Sequence, residues 1–195
     1  MRSLAEPIRK NKLLRAIGFD DAPFAKRIDK HVSIGGVVCS STRFEGMLWD
    51  RVEQDGLDAT QVLIDMLRNS KFREQINVIL TDGITVAGFN FIDLPELSKA
   101  IEVPCIAVMR HLPDIDAFLK AMKRVDQQEK RNEIIANAGE IYSMKGFHFQ
   151  VSGCDPELAA TALERLTDKG NVPEPLRLAH LIGAAVKLGE SSKRA

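Results

Sequence analysis

The sequence has few cysteines, few aromatic residues, no excess of either charge and no long apolar run. Its three cysteines, Cys39, Cys105 and Cys154, lie far apart in 195 residues. They form no CxxC pair and no Cys–His cluster, which argues against a disulfide scaffold and a thiolate metal centre. They are expected to be reduced, small buried hydrophobes in a cytoplasmic protein. No apolar run approaches the roughly 18 residues that cross a membrane, so no membrane partner is expected. The start, Met1–Lys12, is basic and polar with no apolar stretch behind it, unlike a signal peptide. Lys+Arg and Asp+Glu each number 27, giving a formal net charge of zero. The strongly basic balance of many nucleic-acid binders is therefore missing. No GxGxxG opens a helix, so there is no dinucleotide fingerprint.

What is present is an ordinary folded composition, 45% hydrophobic and 28% charged. A chain of this length buries enough surface to fold without staples, and one domain over 1–195 is expected. A basic N-terminal arm (about 1–13) and extra C-terminal helices (about 154–190) flank it. Monomer and homodimer both stay open.

The first half of the pattern is β-rich. Leu14–Phe19 is an apolar strand stopped at Asp20–Asp21 and Pro23. His31–Ser40 is a second strand, whose Gly35–Gly36 pair implies a bulge or a close approach. Glu45–Glu53 alternates as a third. The period then changes. Val62, Leu63, Met66 and Leu67 mark a helix opened near Asp58 or Thr60. Asn77–Thr81 is a buried strand ending at Asp82–Gly83, Leu94–Ile101 a short helix, and Val103–Met109 a buried strand ending at Arg110. Helices follow at about 114–125, 126–138, 154–168 and 175–188. Glu140–Ser143 and Phe147–Ser152 make one or two edge strands. Antiparallel strands followed by βαβ crossovers predict an α/β fold, a mixed five-stranded sheet with helices on both faces. This is the ribonuclease H-like order of elements.

Three carboxylates fall at ends of elements. Asp20 ends the first strand, Asp82 ends the fourth, and Asp58 starts the first helix. If the first and fourth strands are parallel neighbours, Asp20 and Asp82 lie side by side, with Asp58 approaching from the helix. Strand alternation sends only one of Asp20 and Asp21 to the site, and Asp20 is favoured. Crowded carboxylates repel unless a cation sits among them, and an all-oxygen set suits Mg²⁺ or Mn²⁺. That chemistry points to phosphodiester hydrolysis. The plainer alternative makes Asp82–Gly83 a turn and Asp58 a cap. In GITVAGFN (83–90), Gly83 permits close approach to a ligand and Phe89 offers a stacking face. Asn90 offers a base-edge contact or a helix cap. In PEPLRLAHLIG (173–183), Arg177 and His180 share a helix face. Arg177 either holds a phosphate or docks its helix through Glu174. His180 is either a site residue or an interior histidine. Arg2, Arg9, Lys10, Lys12 and Arg15, with Lys26, Arg27 and Lys30, suggest a phosphate-contacting patch beside Asp20. The segment 126–131 (DQQEKR) looks like a solvated helix face.

The segment 77–110 resembles the core of endonuclease V. GFDDAPF (18–24), DGLDAT (55–60), GITVAGFN and PEPLRLAHLIG together resemble the archaeal endonuclease dU family over nearly the whole chain. The resemblance implies Asp20, Asp82 and, more loosely, Asp58 as catalytic metal carboxylates. It puts Arg110 where a phosphate-contacting lysine stands, a change that keeps bidentate phosphate contact available. The Pro-Tyr-Ile-Pro wedge of endonuclease V is absent before residue 58, and its histidine-bearing loop is replaced by residues 85–90. The implied activity is metal-dependent cleavage of DNA carrying a deaminated base, deoxyuridine first. The alternatives are inosine in DNA or RNA, a non-catalytic nucleic-acid-binding module of the same fold, and a small-molecule phosphohydrolase.

Overall fold

A computed structural model describes residues 2–26 and 28–192. Arg27, expected in the basic patch, lies outside the described residues, as do Met1 and residues 193–195. The elements run α1 (Ala5–Arg9), β1 (Arg15–Asp21), β2 (His31–Ser40), β3 (Arg43–Glu53), α2 (Ala59–Arg68), a 3₁₀ turn, β4 (Val78–Asp82), β5 (Thr85–Val86), β6 (Asn90–Phe91), α3 (Leu94–Ile101), β7 (Cys105–Met109), α4 (Ile115–Met122), α5 (Gln128–Asn137), β8 (Tyr142–Met144), β9 (Phe147–Ser152), α6 (Pro156–Arg165) and α7 (Glu174–Leu188).

The main sheet has seven strands in the order β3-β2-β1-β4-β7-β9-β8. The five expected strands are its first five; the two candidate edge strands extend it. β9 runs antiparallel to β7, and β8 to β9. The extension covers the edge of β7 and packs Phe147 and Phe149 against Ala159 and Leu163 of α6. β1 is the central hinge of direction, antiparallel to β2 and parallel to β4. β4 and β7 are also parallel, so β1, β4 and β7 end on the same edge.

Alternation along β1 decides what each face sees. Ile17 and Phe19 point into one core with Leu63 of α2 and Leu97 of α3. Ala16 points into the other, with Leu80, Ile106 and Leu176 of α7. Gly18 is on the α7 side, and a Cβ there would lie 2.6 Å from the Pro175 carbonyl carbon and 2.7 Å from the Leu176 nitrogen. Backbone meets backbone, so nothing flexible can yield. Gly18→Ala is expected to destabilise the fold by about 1–3 kcal/mol by forcing α7 off the sheet. Urea unfolding checks this, and wild-type stability would contradict it.

The N-terminal segment is not a free arm. Leu4 and Leu14 are buried in the α6-side core, and the Arg165 guanidinium donates to Ile8 O at 2.9 Å. Because this segment precedes β1, it lies at the strand's start. Seven residues, about 20 Å of strand, separate it from the Asp20 edge. Its cations are partly paired as well: Arg2 with Glu74, Lys10 with Glu6, Arg15 with Glu45. The expected basic patch beside Asp20 is therefore reduced to the loop cations after β1. Cys39 and Cys105 are buried as expected, and burial pushes the Cys39 thiol up to about 12, which leaves it unreactive. Among the described residues no helix is long and apolar enough to cross a membrane.

Candidate active site

The common edge of β1, β4 and β7 collects the polar residues. Phe19 is level with Thr81 in the parallel β1–β4 register. Asp20 and Asp82 are each one step further on, and neighbouring strands lie about 4.8 Å apart. Asp20 has the parity of Gly18, and Asp82 that of Leu80, so both face the α7 side. Arg110 follows β7 with the parity of Val108 and joins them. α7 brings His180, whose Nδ1 lies 2.9 Å from Asp20 Oδ2. A carboxylate only accepts, so Nδ1 carries the proton in this bond. The Arg110 guanidinium approaches Asp82 Oδ2 at 3.6 Å.

Asp21 points to the opposite face. Its carboxylate accepts a hydrogen bond from Ala87 N–H, at the tip of the β5–β6 hairpin. It still feels the other two acids. Burial, then the Asp20 and Asp82 charges, push its carboxyl up to about 6, against the opposing Ala87 bond. Burial and the Asp20 charge likewise push Asp82 up to about 6, partly offset by Arg110 and His180. His180 is raised by its hydrogen bond to Asp20. The edge therefore crowds three carboxyl groups beside Arg110 and His180. A cavity of about 420 Å³ opens over it, lined by Asp20, Asp21, Pro23, Phe24, Lys26, Asp82, Arg110 and His180.

These shifts set the pH response. Asp21 and Asp82 bind protons more readily folded than unfolded, so stability falls as pH rises from about 4 to about 6. The raised His180 acts in the same direction: its contribution is present below the ordinary histidine range and is lost as pH rises through its folded value. Glu6 and Glu45, held low by Lys10 and by Arg15 and Arg43, act in the opposite direction, so the check is the difference in melting temperature between wild type and Asp82→Asn, which is expected to fall as pH rises across this window; a flat or rising difference would contradict the assignment.

Several expected site residues sit elsewhere. Asp58 lines a separate cavity of about 570 Å³ with Asp55 and Arg131. Its oxygens accept from Glu53 N–H at 3.1 and 3.2 Å and from the Asn90 amide at 2.5 Å. It is not brought to Asp20 and Asp82, because α2 starts beside β3, two strands away from β1. Asn90 is fully buried. Its Oδ1 accepts from Ala59 N–H at 3.0 Å, capping α2 in place of the Asp58 side chain, which makes no cap bond. Its amide also donates to Glu53 O at 2.9 Å, so no edge is left for a base. Phe89 packs on Phe118 with ring centroids 5.9 Å apart. Gly83 adopts φ +71° in the turn that leaves β4. Arg177 donates twice to the buried Glu174 carboxylate, both at 2.8 Å, and docks the start of α7.

Lys26, expected beside Asp20, does line the cavity, and so does Asp21, the competitor of Asp20; sequence reasoning missed Phe24 as a lining residue, and it misplaced Arg131. That residue lies in the segment expected to be solvated, yet it is 2% exposed. A signal was available: Arg131 is three and four positions from Ile134 and Ile135, on the apolar face of α5. Among the described residues no three His, Cys, Asp or Glu side chains form a ready metal-holding group. Asp20 and Asp82 form a pair.

The family model for endonuclease dU matches residues 12–187. The chain belongs to the endonuclease dU family. A relative from Archaeoglobus fulgidus, named UPF0215 protein, is 40% identical over 184 residues, covering 94% of this chain and 99% of the relative. A crystal structure of a protein of unknown function from Archaeoglobus fulgidus is 38% identical with a TM-score of 0.84, covering 89% of this chain and 98% of that one. The catalytic domain of human endonuclease V is similar at 15% identity and a TM-score of 0.62, over 97% and 89% of the two chains. Ciona intestinalis endonuclease V, in complex with DNA containing an inosine followed by a ribo-adenosine, gives 17% and 0.56, over 87% and 84%. The fold is that of endonuclease V, ribonuclease H-like, and the family is one of nucleases.

Proposed function

We propose that this endonuclease dU family member hydrolyses a phosphodiester in DNA carrying a deaminated base, deoxyuridine, using Mg²⁺ or Mn²⁺ held by Asp20 and Asp82. The observation that carries this is the pair itself: two acids on one sheet face, at neighbouring strand ends, with the Asp82 carboxyl pushed up to about 6 by burial and Asp20. The residues fit such a cation. Mg²⁺ commonly takes one or two carboxylates and fills its octahedron with waters and phosphate oxygens, so a third protein carboxylate is not required. A bound divalent ion supplies positive charge to the scissile phosphate and its leaving oxygen.

The protein groups have separate tasks. His180 fixes the orientation of Asp20 through the 2.9 Å bond. Arg110 has a planar fork suited to a phosphate and is loosely held by Asp82 at 3.6 Å, so it can turn to substrate. Asp21, fixed by Ala87 N–H, adds negative potential from the opposite face. Deoxyuridine is taken from the family's name, and the inosine in the Ciona endonuclease V complex makes deoxyinosine the natural control.

Metal ligation needs ionised carboxylates. Mg²⁺ is therefore expected to raise the melting temperature more at about pH 7.5 than at about pH 5, where Asp82 is largely protonated. Equal shifts would argue that the ion binds elsewhere. The activity is tested by nicking of deoxyuridine, deoxyinosine and undamaged duplexes with Mg²⁺ or Mn²⁺. The expected result is cleavage of the deoxyuridine strand that ceases with chelator. Preferential cleavage at deoxyinosine would favour the endonuclease V-like alternative. Absence of metal-dependent cleavage would favour a non-catalytic module.

A further inference from the structure

We infer that Phe24 and Lys26 form a nucleotide subsite on the wall of the acidic cavity, Phe24 stacking on a nucleobase and Lys26 contacting a backbone phosphate. This deepens the proposed function and rests on it. Six of the eight residues around the cavity are ionisable; the two apolar ones, Pro23 and Phe24, are adjacent in the chain and form one patch. A site for a small phosphate anion has no use for an apolar wall, whereas a nucleotide presents both a charged and a π face.

Phe24 is built for that role. It is half-buried, packed against the core that contains Phe19 and Ile34, and still lines the cavity. An aromatic side chain anchored by the core and accessible from the cavity is held in place for stacking on a base. Phe89, the aromatic expected to stack from the sequence, is committed to Phe118 instead. Lys26 is exposed and reaches the same cavity as Arg110. The two cations thus border the acidic pair. A volume of about 420 Å³ falls in the range that takes one small ligand, in keeping with the general need to take a damaged base out of the stack.

The test separates stacking from packing and from catalysis. Binding is measured by fluorescence anisotropy with single-stranded oligonucleotides carrying one deoxyuridine or one abasic site, with Mg²⁺. The host is the full chain bearing Asp82→Asn, or the unaltered chain if that proves not to cut. Phe24→Leu keeps an apolar side chain against the core and removes the ring. Base stacking is worth about 1–3 kcal/mol, so Phe24→Leu is expected to weaken deoxyuridine binding about 10-fold while abasic binding changes little. Phe24→Trp is expected to restore the preference. Lys26→Gln is expected to weaken both oligonucleotides equally and to lower the salt dependence by about one counterion. Equal losses on both oligonucleotides for Phe24→Leu, or no loss on either, would overturn the subsite. Failure of the unaltered chain to nick deoxyuridine DNA would count against the activity; the base-dependent binding difference judges the subsite independently.

Discussion

Asp82→Asn is expected to abolish metal-dependent nicking while leaving the chain folded and no less stable. Asp82 sits at the end of β4, pushed up to about 6 by burial and by Asp20, and touched only loosely by Arg110 at 3.6 Å. An amide of the same shape removes one of the two proposed metal carboxylates together with a repulsive charge. Charge stabilisation by a catalytic ion is worth several kcal/mol, and each 1.36 kcal/mol is tenfold, so a loss of about 10³-fold or more is expected. The melting temperature at neutral pH should hold or rise, because a destabilising ionisation has been removed. Asp20→Asn should lose activity similarly. It also weakens a charge-assisted bond to His180, so a small loss of stability should accompany it. Activity within a few-fold of wild type for both variants would remove the metal assignment. Large unfolding in Asp82→Asn would mean that the carboxylate is structural.

Arg131→Met is expected to cost about 3 kcal/mol of stability or more. Its guanidinium donates to Asp126 O at 2.7 Å, Asp55 O at 2.6 Å, Gly56 O at 3.0 Å and Phe89 O. One buried side chain thus ties the loop after β3, the β5–β6 hairpin and the start of α5. The loop and hairpin are also bonded directly, Asp55 N–H to Ala87 O at 2.9 Å and Phe89 N–H to Asp55 Oδ1 at 2.8 Å. Bonds to a charged donor are each worth about 1.5–3 kcal/mol, and buried carbonyls left without a donor add to the loss. For a chain of this size that is a fall in melting temperature of about 6–12 °C. Arg131→Lys should rescue only part of it, since an ammonium cannot reproduce the planar fork. A change below about 0.5 kcal/mol in urea unfolding would show that the network is held by the loops themselves.

Most of the fold was legible because period and punctuation agreed. His31–Ser40 and Leu94–Ile101 run as the pattern predicted, and the strands ending at Asp20–Asp21, Asp82 and Arg110 put those residues on one edge. The acidic pair was legible for the same reason: neighbouring parallel strands that stop together must bring their last residues together. What the sequence hid were contacts between distant segments. Asp58 looked like a third site carboxylate because it opens a helix at the correct edge, but the chain does not say that this helix starts beside β3, two strands away from β1. Asn90 looked available to a base because nothing local reveals that it caps α2 from 31 residues away. Arg131 looked solvated because mixed charges usually are, and only the loops it grips make its burial tolerable. The zero net charge has a similar lesson. The N-terminal cations are spatially remote from the acidic edge, so the proposed function rests on Lys26, Arg110 and the cavity wall rather than on a broadly basic surface.

The most direct test of the central claim is the anomalous scattering of a crystal of the unaltered chain soaked in Mn²⁺. One peak is expected at the shared edge of β1 and β4, about 2 Å from carboxylate oxygens of both Asp20 and Asp82. A peak at the Asp55–Asp58 cavity instead, or no ion bridging Asp20 and Asp82, would contradict it.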